Sequence, residues 1–155
     1  MGFSGAHVFD YDAQIVWDAL MDPEILAYAL PGKAQLQSIS GDALAWQVKS
    51  TLRLAGMATD VIGVVRLNII EPVARYVLLV EADSQHDGVL YGQAEIALVA
   101  SADENQSRTT VNWQGEFAKS SISSFMAQIV SPVIVGAARQ FFVRIEARLK
   151  ENHVA

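Results

Sequence analysis

Three histidines, His7, His86 and His153, are the side chains best suited to acid–base work. His7 shares strand parity with Phe3 and Phe9 and is expected to face inward. There it is either a hydrogen-bonded structural residue, the plainer expectation, or a general base or ligand contact. His86 falls in a polar turn and His153 in a tail, both expected to be solvated. No HxxH, HxH or His/carboxylate spacing suggests a metal, so none is expected. The carboxylates fall on outward parities: Glu95 with Gln93, Glu116 with Gln114 and Asn112, and Asp60 with Arg66. No Walker loop, GxGxxG or GxSxG elbow occurs, which disfavours a nucleotide enzyme or a dedicated hydrolase. No catalytic residue and no cofactor is therefore assigned.

These residues sit on a chain whose patterning changes twice. Residues 4–10 read as a first strand, followed by a helix from Ala13 to Leu20 capped by Asp12 or Asp10. Pro23 ends it, and a second short helix, Glu24 to Ala29, stops at Leu30-Pro31-Gly32. From Lys33 to Phe117 apolar residues recur with period two. The predicted strands are Lys33–Ser40, Ala43–Leu54, Met57–Ile70, Arg75–Asp83, Gly88–Ala100 and Arg108–Phe117. One-sided alternation implies an antiparallel sheet with one wet and one covered face. The cover is a helix from about Ser120 to Lys150, which Pro132 is expected to kink or divide. The order makes an α+β domain spanning 1–155.

The covered face carries the candidate binding site. It presents Leu90, Gly92 and Ala94 on one strand and Val111, Trp113 and Gly115 on another, with Trp46, Tyr76 and Leu78 on the same side. Gly63, Gly92, Ala94 and Gly115 are small, and small residues between large ones either leave space under a curved sheet or merely permit sheet curvature or close helix approach. An apolar cavity is expected, with His7, Ser50, Thr59 and the Trp indoles as polar anchors and Phe125, Ile129 and Val133 as its helical wall. The last helix also carries Arg139, Arg144, Arg148 and Lys150 near its C-terminus, where cations complement the helix dipole. Glu146 and Lys150 are spaced as an i,i+4 pair.

Composition narrows the classes further. The 155 residues are 52% hydrophobic and 18% charged, enough apolar surface for a substantial core. The absence of Cys removes disulfides and thiolate chemistry, and a net charge of −6 argues against a nucleic-acid partner. Phe125–Ile145 approaches the length of a membrane span, but Gln128, Pro132, Arg139, Gln140 and Arg144 interrupt it. Met1-Gly2-Phe3-Ser4 has no basic region or apolar run, so a cytoplasmic location is expected.

Val16-Trp17-Asp18-Ala19-Leu20-Met21-Asp22-Pro23-Glu24-Ile25-Leu26, followed by Leu30-Pro31-Gly32, resembles the opening of the carbon monoxide dehydrogenase CoxG family. Gly63-Val64-Val65-Arg66-Leu67, Glu71-Pro72, Gly92-Gln93-Ala94-Glu95-Ile96 and Ala137-Ala138-Arg139-Gln140-Phe141-Phe142 continue the likeness over nearly the whole chain. The resemblance places it in the START/Bet v 1-like superfamily. It implies a helix-grip fold: a seven-stranded antiparallel sheet wrapped around a long C-terminal helix, with two short helices after strand 1 and a hydrophobic tunnel between. It also implies an accessory protein of a molybdenum-containing hydroxylase such as carbon monoxide dehydrogenase, binding a lipid-like or quinone-type molecule. Phe117-Ala118-Lys119-Ser120-Ser121-Ile122 stands where many relatives have a glycine-rich turn. Some members carry a C-terminal extension suited to membrane attachment, whereas this sequence stops at Ala155, so autonomous membrane anchoring is not expected.

The expected function is non-enzymatic binding of a hydrophobic small molecule, auxiliary to a redox enzyme. A cyclase- or hydratase-like enzyme with a polar group in the cavity is one alternative, and a homodimeric interaction module with a filled cavity is another. Peripheral membrane contact is a further partner class.

Overall fold

A short acidic side chain ahead of an apolar run opens each of the first two helices. In the computed structural model the Asp12 carboxylate accepts the Ile15 N–H at 2.9 Å and caps α1 (Ala13–Met21). Asp22 accepts the Glu24 N–H at 2.9 Å and caps α2 (Pro23–Ala29), with Pro23 in the first turn, where its missing N–H costs nothing. The structure describes residues 2–32, 34–39, 41, 44–54, 56–83, 89–101, 108–118 and 124–153, and excludes the side chains of Leu54, Ala118 and residues 124–133.

Seven strands surround these helices: β1 (Gly2–Phe9), β2 (Gln35–Ser38), β3 (Ala45–Leu54), β4 (Met57–Glu71), β5 (Arg75–Asp83), β6 (Val89–Ala100) and β7 (Thr109–Ala118). They form one antiparallel sheet in the order β1-β7-β6-β5-β4-β3-β2. From β2 to β7 each strand therefore lies beside its sequence neighbour, while β1 pairs with β7, from Phe9↔Thr109 to Gly2↔Glu116. The 30-residue helix α3 (Ser124–His153) fills the concave side. This is the helix-grip arrangement expected from the sequence, with seven strands and two short helices after β1.

The register gives the sheet two distinct ends. The β3–β4 hairpin tip at Leu54↔Met57, the ends of β5 and β6 at Asp83↔Val89 and the end of β7 lie at one. The β4–β5 turn at Glu71↔Arg75 and the Ala100↔Thr109 pairing lie at the other. The solid core sits at the β4–β5 end, where α1 and the C-terminal half of α3 cover the sheet. Phe9, Val16, Leu20, Tyr76, Ile96, Val111 and Ile145 are all buried there. Trp17 meets the Tyr76 ring edge-on, with centroids 5.5 Å apart. In the turn itself, Val73 adopts φ +66, a conformation that costs a β-branched residue about 1–2 kcal/mol. Its side chain packs against the core and offsets that strain.

Two local expectations are corrected. Pro132 does not divide the last helix, since α3 is a single element on both sides of it. A proline removes one backbone donor, and the packing of the C-terminal half supplies far more than that loss. Glu146 engages His7 and the Asp10 N–H, so its partners lie on and just beyond β1 rather than at Lys150.

Candidate functional site

Inner-facing residues of β3 to β6 lose burial toward the β3–β4 end, whereas those of β7 stay buried as far as Phe117. On β6, Leu98, Ile96 and Ala94 are buried, whereas Gly92 and Leu90 are half-buried. On β4, Leu67 and Val65 are buried and Gly63 and Val61 are not. On β5 the change falls between Tyr76 and Leu78. Beyond that line the sheet and α3 separate, and a cavity of about 300 Å³ lies between them. Trp113 and Phe142 form its inner boundary, stacked with centroids 4.4 Å apart and planes 19° from parallel. Ile134, Ala137, Ala138 and Phe141 supply the helical wall, and Leu26, Leu30 and Pro31 close the side next to β3.

The lining is almost wholly apolar, as ligand cavities generally are apart from a few polar groups. Ser50 is the inner-facing hydroxyl on this wall, and it donates to the Pro31 carbonyl at 2.6 Å. Glu81 and Gln93 also border the space, from strand positions of exposed parity. A second hollow of about 590 Å³ crosses the outer face of the sheet near Arg66, Glu81, Tyr91 and Glu116. Its walls combine exposed Arg66, Glu81, Tyr91 and Glu116 with half-buried Val64, Leu79 and Val80 and with Gly92, Gly115 and Phe117 of the inner face.

The structure brings Ser50, Gly63, Leu78, Leu90, Gly92, Ala94 and Trp113 together around the apolar cavity. Four other expected residues lie elsewhere. Trp46 and Tyr76 have the right parity, yet they occupy the solid end of the core. Burial pushes the Tyr76 hydroxyl far above the usual phenol range, so it stays protonated. Thr59 lies on β4 beyond Val61, past the lining and toward the hairpin tip. His7 faces inward as its parity implied, but its Nε2 lies 2.9 Å from Glu146 Oε1 and its ring packs edge-on against Phe9. It joins β1 to α3 instead of reaching the cavity. The side chains of Phe125, Ile129 and Val133 lie outside the described residues, as do His86 and residues 119–122 of the segment before α3.

The small residues play different parts. A Cβ on Gly63 would run into the Glu81 carbonyl oxygen of the neighbouring strand, so this glycine permits close strand approach. A Cβ on Gly115 would meet Phe3 at 2.5 Å and the Gln93 carbonyl at 2.8 Å. At Gly92 the nearest atom is Val80 Cβ at 4.0 Å, so this glycine faces open space. Sequence reasoning missed Leu26, Leu30 and Pro31 as a wall. The Leu30-Pro31-Gly32 breaker is visible in the sequence, but only the fold shows what it closes.

Among the described residues no cluster of His, Cys, Asp or Glu could hold a metal ion, and no helix is long and apolar enough to cross a membrane. Comparison with known proteins gives a family match over residues 6–152, to the carbon monoxide dehydrogenase CoxG family. Curated proteins give no match. Among solved structures, a conserved protein from Geobacillus kaustophilus is similar with a TM-score of 0.82 at 19% identity, covering 99% of this chain and 98% of that one. An aromatase/cyclase from Streptomyces superposes with a TM-score of 0.70 at 13% identity over 100% and 96% of the two chains. A START superfamily protein from Mycobacterium smegmatis gives 0.62 at 10% identity over 97% of each. These likenesses show the START-like fold.

Proposed function

The chain belongs to the CoxG family of carbon monoxide dehydrogenase proteins, and on that premise we propose that it binds a hydrophobic small molecule of lipid or quinone type without acting on it chemically. In this reading it is a cytoplasmic accessory protein of a molybdenum-containing hydroxylase such as carbon monoxide dehydrogenase. One observation carries the binding step: an apolar space of about 300 Å³ beside a solid core, with its inner-facing hydroxyl already satisfied by the Pro31 carbonyl. The space stands at the lower end of the ~300–1,000 Å³ typical of small-molecule sites. A ring system fits inside, and a longer chain must extend out of it. Among the described residues the wall holds no His or Tyr, since His7 and Tyr76 are both engaged elsewhere, and Glu81 borders it only from a position of exposed parity, which supports binding over catalysis.

The test is solvent extraction of the purified protein followed by mass spectrometry for lipids and quinones, repeated after incubation with menaquinone, ubiquinone and mixed lipids. A stoichiometric apolar compound is expected. Gly92→Leu, whose Cβ would meet nothing nearer than Val80 Cβ at 4.0 Å, is expected to abolish its retention. Empty extracts from both preparations of the parent protein overturn the reading.

A further inference from the structure

We infer that Leu30-Pro31-Gly32 is the gate of the cavity, held shut from two sides by Ser50 on β3 and Arg144 on α3. The inference rests on the cavity being a binding site, as proposed above. Two of the segment's three carbonyls are captured: Pro31 O by the Ser50 hydroxyl at 2.6 Å, and Leu30 O by Arg144 Nη1 at 3.3 Å. Leu30 and Pro31 themselves line the apolar space. The segment thus bridges the helix and the sheet at the place where the sheet edge is otherwise open. Among the described residues β2 pairs with β3 from Trp46 to Lys49, and no described strand pairs with the outer edge of Ser50–Leu54.

The other walls cannot move cheaply. β3 to β7 are joined by continuous ladders, and the C-terminal half of α3 is anchored by buried Phe141, Phe142, Ile145 and Leu149. The strap is different, because a single side-chain hydrogen bond holds each of its Leu30 and Pro31 carbonyls. Gly32 provides the pivot at φ +76, and any Cβ there would strike the Ser50 hydroxyl and the Thr51 carbonyl. Pro31 stiffens the segment so that it swings as a unit. Ser50 and Arg144 are therefore positioning residues: they set how often the wall opens, and a ligand's affinity depends on the apolar surface behind it.

Stopped-flow binding of the uncharged dye N-phenyl-1-naphthylamine reads the gate directly. Ser50→Ala is expected to raise the association and dissociation rate constants together, each about tenfold, the loss of one net hydrogen bond. In Arg144→Ala, which loosens the segment from outside the lining, Kd should stay within about twofold. Ser50→Thr, which keeps the hydroxyl, should restore the parental rates, and Arg144→Ala should move both constants in the same direction as Ser50→Ala. Unchanged rate constants in Ser50→Ala overturn the gate, as does a weakened Kd at an unchanged association rate, which would make Ser50 a ligand contact. Dye bound by none of the proteins overturns the binding reading and the gate with it, whereas dye bound at unaltered rates removes the gate alone.

Discussion

At the scale of single residues, two glycines of similar appearance in the sequence do unlike work. Gly63 faces the carbonyl oxygen of Glu81, so Gly63→Ala must push β4 and β5 apart. Overpacking of this kind costs about 1–3 kcal/mol, to be read as a lower urea midpoint at unchanged m-value. Gly92→Ala has room for its methyl group and should shift stability by less than about 0.5 kcal/mol. Equal losses in the two variants would show that the open space at Gly92 is not there. His7 and Glu146 make a second contrast with expectation. Glu146 accepts from the Asp10 N–H at 3.2 Å as well as contacting His7 at 2.9 Å. Removing it in Glu146→Ala leaves both of these groups unmatched and should cost about 1–3 kcal/mol in the same measurement.

At the scale of elements, α3 is two helices in function though one in geometry. Its C-terminal half presents Phe141, Phe142, Ile145 and Leu149 to the solid core, while its described portion before Phe141 offers Ile134, Ala137 and Ala138 to the cavity. Ile145→Ala should therefore cost about 2–5 kcal/mol, and Ile134→Ala less than about 1 kcal/mol because it deletes methyl groups that already face a void. Similar costs at both positions would contradict the division. This division also explains how far the sequence could be read. Alternation assigns a face to each residue with period two, so the expected strand limits and covered face lie within a few residues of those observed. It carries no information about position along the strand relative to the helix above. Trp46 and Tyr76 consequently have the expected face and the opposite end of it. Thr59 fails for the converse reason, lying past the lining on the same face. The wall made by Leu26, Leu30 and Pro31 is illegible for a third reason: it depends on a loop crossing to β3, a contact without periodicity.

At the scale of the whole molecule, a cavity beside a core links occupancy to stability. A ligand held only by the folded chain adds about 2.7 kcal/mol at a hundredfold excess over Kd, which in a protein of this length raises Tm by about 5–10 °C. Calorimetry on the parent protein with the retained apolar compound should show that rise, and Gly92→Leu should show none. A rise of the same size in both would place the ligand outside the cavity.

The β1–β7 pairing has a consequence for synthesis. The strands from β2 to β7 can zip in the order in which they emerge, each hairpin beside the last. β1 emerges before all of them, yet its partners in β7, residues 109–116, follow about a hundred positions later. At ~5–20 residues per second, the first strand waits about 5–20 s on the ribosome with no ladder to join. It then has to close the longest loop in the sheet, the step that contact order makes slowest. In pulse-labelled refolding, the amides of Gly2–Phe9 should accordingly gain protection last, after the β3–β6 meander is already formed.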